Sequence, residues 1–182
     1  MERKKRLTAS IFGKVCNMRD KTSRAKTVEN ILFGTFTGNA ATRYGISNEI
    51  IAKEQLEDLL KQKIQPAGLI VDNNMPFIAA SPDGILDDES LVEIKCPASA
   101  KELAPGDAIQ NNKIKCCSIK DGKLYLKRND NYYYQVQGQL YISQKTYCYF
   151  CVWTPKGLMY EKIKKTTIFE KIIRKVKLKR FI

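Results

Sequence analysis

Two short runs, Ser81-Pro82-Asp83-Gly84 and Leu91-Val92-Glu93-Ile94-Lys95-Cys96-Pro97, hold the residues of this chain best suited to chemistry. The first sets a carboxylate in a turn, and the second sets a carboxylate and an ammonium two positions apart on an apolar strand. Strand geometry repeats every two residues, so Glu93 and Lys95 share one face while Val92 and Ile94 point to the other. Charged groups on a sheet face are costly to bury unless they are paired or bound to something. With Asp83 alongside, the three can hold a divalent cation through hard oxygen ligands and set a water against a phosphodiester. The pattern points to a metal-dependent nuclease. Each residue also has an ordinary account, Asp83 as a Pro-Asp-Gly turn residue and Glu93 with Lys95 as a solvated pair; the chemistry requires all three together.

Composition narrows the classes. The 182 residues contain no histidine, which removes histidine general bases, Cys-His proteases and His-containing zinc sites. Net charge is +13, an excess that favours a polyanionic partner, nucleic acid ahead of a membrane surface. Residues 1–26 carry nine basic and two acidic side chains, residues 156–182 ten and two, and residues 83–93 five carboxylates with no basic group. An acidic centre between basic ends suits a cation at the centre and phosphates around it. Cysteines stand at positions 16, 96, 116, 117, 148 and 151. Cys148 and Cys151 lie in a strand-like run where they face opposite ways, so buried free thiols are expected rather than a metal knuckle. No signal-peptide or membrane-spanning run follows the basic N-terminus, so an intracellular location is expected, with nuclear, cytoplasmic and viral-replication compartments all open. No GxxxxGK[ST] sequence is present, which argues against a P-loop ATPase.

The elements that must position these residues are legible in outline. Residues 39–62 read as a helix capped by Asn39, with Ile46, Ile50, Ile51, Leu56, Leu59 and Leu60 near the helical period. Glu49 sits one turn from Lys53, either as a surface pair or turned towards the site. Residues 8–13 open a helix or a tight turn, with Ser10 free to bond main chain or an anion. Short strands are expected at 68–71 and 76–80 around Asp72-Asn73-Asn74, and at 85–86 and 91–95, the last stopped by Pro97. A short helix is expected near 107–116 and a strand at 124–126. Tyr132 to Leu140 reads as a helix capped by Asn129 or Asp130, with Tyr133, Val136 and Leu140 inward and Gln135 and Gln139 sharing a face. Strands at 146–153 and 158–163 and a basic helix at 168–176 complete a single α/β (α+β-like) domain over residues 1–182. Its expected architecture is a central mixed sheet flanked by helices.

Ser81–Gly84, Glu93-Ile94-Lys95 followed by Cys96-Pro97, and the run Tyr132-Tyr133-Tyr134-Gln135-Val136-Gln137-Gly138-Gln139 occur together in this order. Together they closely resemble the YqaJ-like viral recombinase family and the lambda-type and viral alkaline exonucleases of the PD-(D/E)xK nucleases. The resemblance covers about residues 3–153, and the Arg3-to-Ser10 run is similar to the family's opening. It implies a restriction-endonuclease-like core. It also implies Asp83 and Glu93 as ligands of Mg2+ or Mn2+, with the Ile94 carbonyl, and Lys95 orienting or deprotonating the attacking water. Gln135 would position the water, Lys95 or the terminal phosphate. Glu49 matches the glutamate of the family's YGxxxE pattern and would be a further site carboxylate. Arg3 and Ser10 match positions of a 5′-phosphate pocket, joined by Ser81 and Arg6, and Tyr132 is placed with the substrate-binding residues. The implied substrate is linear double-stranded DNA with free ends, degraded 5′→3′ in recombination or viral DNA processing. A single-strand annealing protein and further copies of the chain are the implied partners. Two other readings remain: a structure-selective endonuclease or RNase of the same fold, and a non-catalytic nucleic-acid-binding module that stacks bases on Tyr132–Tyr134.

Overall fold

The computed structural model describes residues 6–19 and 38–167, with residues 23, 25, 26, 29 and 34 between them. Arg3 and the helix expected at 168–176 lie outside the described residues. In chain order the elements are β1 (Leu7–Thr8), α1 (Ala9–Cys16), α2 (Ala40–Leu60), β2 (Ile70–Val71), β3 (Ile78–Ala80), β4 (Gly84–Ile85) and β5 (Ser90–Lys95). They continue with α3 (Pro105–Gln110), β6 (Cys117–Lys120), β7 (Lys123–Leu126), α4 (Asn131–Ser143), β8 (Tyr147–Thr154) and β9 (Gly157–Lys164).

The central sheet is mixed and ordered β4-β5-β8-β9. β5 runs parallel to β8, with Glu93 opposite Phe150 and Lys95 opposite Val152, and its other edge takes β4 antiparallel. Parallel pairing needs a long crossover, and the chain from α3 through α4 supplies it. A smaller sheet, β1-β3-β2, joins the N-terminal strand to the expected 68–80 hairpin.

Strand alternation divides the core into two layers. Leu91, Cys148, Phe150 and Val152 face α4 together with Tyr133, Val136 and Leu140. Val92, Ile94, Cys151 and Trp153 face α2 through Ala52 and Leu56. Cys148 and Cys151 thus point into different layers, and all six cysteines are free thiols. Against the first turn of α4 lies α1; a β-carbon added to Gly13 would stand 2.5 Å from the Asn131 α-carbon.

The Asn39 side chain accepts the Thr42 N–H at 2.8 Å and starts α2 as expected. Its expected apolar set is split, with Leu56 in the core and Leu60 packed against it. Ala52 and Leu56 are fully buried, while Ile46, Ile50, Ile51 and Leu59 are exposed, Ile50 at 68%. The apolar residues run around the helix rather than along one stripe, so periodicity alone misplaced the contact with the sheet. The helix expected at 107–116 begins instead at Pro105 and ends at Gln110. Pro suits a first helical position, and Asn112 turns left-handed at φ 55° to stop the helix. β6, not anticipated, pairs with β7 through Asp121 and Gly122, both at positive φ. Asp-Gly between two apolar runs is a strong two-residue hairpin signal.

Candidate active site

Backbone pairing, rather than turn conformation, places Asp83. Its N–H donates to the Val92 carbonyl at 3.1 Å, and its Oδ2 accepts the Ile94 N–H at 2.7 Å. Gly84 is required by close approach: an added β-carbon would lie 2.2 Å from Ile64 Cγ2 and 3.3 Å from the Gln65 carbonyl oxygen. The Gln65–Ile85 bridge holds that segment in place. The carboxyl group is thereby fixed beside the Glu93–Lys95 end of β5.

Glu93 is 2% exposed and faces α4. Gln135 Nε2 donates to its Oε1 at 2.6 Å, and Lys95 Nζ donates to the same oxygen. Gln139 Nε2, one helical turn further on, donates to Oε2 at 2.7 Å. Asp130 caps this helix, its side chain accepting the Tyr132 N–H at 2.9 Å. Ionised carboxylates accept only, so three donors on one buried group satisfy a charge that burial otherwise disfavours. Gln139 Oε1 is buried without a hydrogen-bond partner among the described residues. Gln135 and Gln139 share a face as expected, but the attachment of Gln139 to Glu93 was not anticipated. The sequence showed only that Gln139 shares a face with Gln135; the structure buries Gln135, Gln137 and Gln139 in α4, where glutamine is rarely fully buried. Gln137 serves elsewhere, donating to the Lys164 carbonyl and accepting from Thr166.

Burial and the neighbouring Glu93 carboxylate push Asp83 up to about 7, against the opposing pull of Lys95 and the Ile94 N–H. Burial disfavours the Lys95 charge, but Glu93 and Asp83 outweigh it and hold the ammonium above the ordinary lysine range. That ammonium also lies 4.8 Å from the centre of the Tyr132 ring, within cation–π range. Burial, with Glu49 and Asp83, raises the Cys96 thiol to about 12, so this cysteine is neutral and a poor nucleophile.

A cleft of about 750 Å³ opens over these groups, walled by Glu49, Asp83, Ile94, Lys95 and Tyr132. Glu49 pairs with Lys53 at 3.5 Å and also lines the cleft. Glu93 and Gln135 lie behind the wall rather than on it. Arg6 and Ser10 are not brought to the cleft: Arg6 Nε donates to the Pro76 carbonyl at 2.9 Å, and the Ser10 hydroxyl lies 3.0 Å from that of Thr8. Ser81 is not part of the wall either. Lys113 and Lys115, not singled out from the sequence, are part of it.

Among the described residues no three cysteine, aspartate or glutamate side chains form a ready metal cluster. The donor chemistry nonetheless suits Mg2+. Asp83 and Glu93 offer the hard oxygen donors that such a cation takes, and burial first, then the Glu93 charge, raise Asp83, so a nearby cation would favour its ionised form.

The chain shares its architecture with an alkaline exonuclease from Laribacter hongkongensis. That match has 23% identity and a TM-score of 0.74, over 98% of this chain and 87% of the other. The same enzyme in complex with dAMP gives a TM-score of 0.75. A phage-related exonuclease from Haemophilus somnus 129PT matches at 12% identity and a TM-score of 0.68, covering 97% of this chain and 91% of the other. No curated protein sequence matches the chain significantly. The fold is therefore the PD-(D/E)xK-like one of these exonucleases, a central mixed sheet flanked by helices. The sequence profile of the YqaJ-like viral recombinase domain matches residues 1–146, and the chain belongs to that family.

Proposed function

We propose that this protein is a Mg2+-dependent deoxyribonuclease that hydrolyses linear double-stranded DNA from its 5′ ends, with Mn2+ able to substitute. The observation that carries the reading is Asp83 and Lys95 in the wall of one cleft with Glu93 directly behind them, hydrogen-bonded to Lys95 and gripped by two glutamine amides. Membership of the YqaJ-like family supports it, as do the exonuclease relatives, one of which was crystallised with a mononucleotide.

Asp83 and Glu93 would hold the cation, with the Ile94 carbonyl as a third protein ligand. A bound divalent ion supplies Lewis-acid polarisation of the phosphoryl oxygen and a more acidic water. Lys95 donates hydrogen bonds from a charged ammonium, which stabilises negative charge growing on the phosphate. Burial disfavours its charge, but Glu93 and Asp83 hold the ammonium above the ordinary lysine range, which suits that electrostatic role. Gln135 acts through Glu93, as does Gln139: both amides donate to it and fix the plane of its carboxylate. Tyr132 offers a ring face beside Lys95 on which a terminal base can stack.

The test is cleavage of end-labelled linear duplex, with closed circular DNA and RNA beside it, in Mg2+ or EDTA. Metal-dependent release of mononucleotides from linear DNA, faster from a 5′ phosphate and lost in Glu93→Gln and Lys95→Ala, is the expected result. Cutting of closed circles would replace the exonuclease with an endonuclease. Folded protein that binds DNA and cuts nothing would replace both with a binding module.

A further inference from the structure

We infer that Lys113 and Lys115 form a phosphate rail in the wall of the cleft, holding the backbone of the DNA strand whose phosphodiester lies over Asp83. The inference rests on the nuclease reading for the identity of that strand, but the rail itself rests on its own geometry.

The segment after α3 alternates outward and inward. Lys113 and Lys115 are exposed, while Ile114 between them is buried at 4% in the core layer beneath. The backbone is fixed on both sides of this anchor. The Lys113 and Ile114 N–H groups both donate to the Ala108 carbonyl, at 2.8 and 3.2 Å. The Lys113 carbonyl accepts the Ser99 hydroxyl at 3.3 Å, and the Lys115 carbonyl accepts Lys127 Nζ at 2.7 Å. The Lys127 N–H then ties the Cys116 carbonyl at 2.9 Å. A loop pinned in this way carries its side chains on a fixed base, so less freedom is lost when they engage a ligand.

Neither ammonium has a carboxylate within ion-pair distance among the described residues. Both line the same cleft as Asp83, Lys95 and Tyr132. Unpaired lysines spaced along one wall do not recognise a base edge; they neutralise phosphates, whose counterions leave on binding. The ligand class is therefore a nucleic-acid backbone, read without regard to sequence. The acidic groups and the lysines divide the labour of the cleft, the first for a cation and the second for the strand.

The experiment measures binding of linear duplex across a salt series with Ca2+ in place of Mg2+, for wild type, Lys113→Ala, Lys115→Ala and the double variant. Lys123→Ala, an exposed lysine outside the cleft, serves as the charge-matched control. The slope of log affinity against log salt should fall by about 1 for each cleft lysine removed and about 2 for the pair. Arg at both positions should restore the slope. Because both side chains are exposed, the variants should melt with wild type. An unchanged slope in the double variant, or a change matched by Lys123→Ala, overturns the rail, as does wild type that binds no duplex. Cleavage in Mg2+ is scored separately. Wild type that never cuts but loses slope in the double variant refutes the nuclease reading and leaves the rail standing; cutting with an unchanged slope does the reverse.

Discussion

Gln139 Nε2 donates to Glu93 Oε2 at 2.7 Å, while Gln135 Nε2, one helical turn earlier, donates to Oε1 at 2.6 Å. The two amides grip opposite oxygens of one buried carboxylate. Partners that orient a metal-binding carboxylate from behind commonly matter about 10–100-fold in affinity or activity. Gln139→Leu should therefore weaken Mn2+ binding to the free protein by about that range, read by calorimetry, while DNA affinity in Ca2+ changes little. Metal affinity equal to wild type in a folded Gln139→Leu protein would reduce the residue to packing.

Asp83 gives a pH dependence with a definite sign. Its folded-state value of about 7 lies above the ordinary unfolded value of about 3.9, so the native state holds the proton more tightly. Stability from this group is fully present below about pH 4 and is lost as pH rises through about 7, on the order of a few kcal/mol. Chemical denaturation of metal-free protein, followed through Trp153, should show this loss as pH rises from 5 to 8, on the order of a few kcal/mol at most. Asp83→Asn should flatten it, raising stability at pH 8 while abolishing cleavage. A wild-type profile that rises over the same window contradicts the assignment.

The two faces of α2 predict opposite responses. Leu56 is fully buried against the sheet and Ile50 is 68% exposed. Leu56→Ala should cost about 2–5 kcal/mol, whereas Ile50→Ala should stay within about 0.5 kcal/mol. Equal costs in urea denaturation would mean that Ile50 is covered in solution.

Gly13 is the point where α1 touches the start of α4. Gly13→Ala would set a methyl group 2.5 Å from the Asn131 α-carbon. Backbone cannot yield as a flexible side chain does, so a loss of about 1–3 kcal/mol is expected. Because Asn131 opens the helix carrying Tyr132, Gln135 and Gln139, metal affinity should fall as well. A variant as stable as wild type would show that α1 can move aside without effect.

Local rules made much of this protein legible from its sequence. Strand parity placed Glu93 and Lys95 on one face, Asn39 and the Asn129-Asp130 pair marked two helix starts, and the spacing of Gln135 and Gln139 put them on one side of α4. Each of these depends only on residues near one another in the chain, where the backbone period fixes direction. The Asp121-Gly122 hairpin is equally local, since Asp-Gly supplies the two positive-φ residues that its turn requires. What faces a given side was decided only by the tertiary structure. Glu93 meets Gln139 because β5 and α4, far apart in sequence, pack layer to layer. Ile46 and Ile50 stay exposed because Ala52 and Leu56 fit the sheet, and no periodicity distinguishes one apolar face from another when both are apolar. Lys113 and Lys115 reach the cleft because Ile114 is drawn into a core formed by distant strands. Arg6 and Ser10 stay away from it because β1 and α1 are committed to β3 and α4. Sequence period determines which residues share a face; packing and desolvation determine what that face meets.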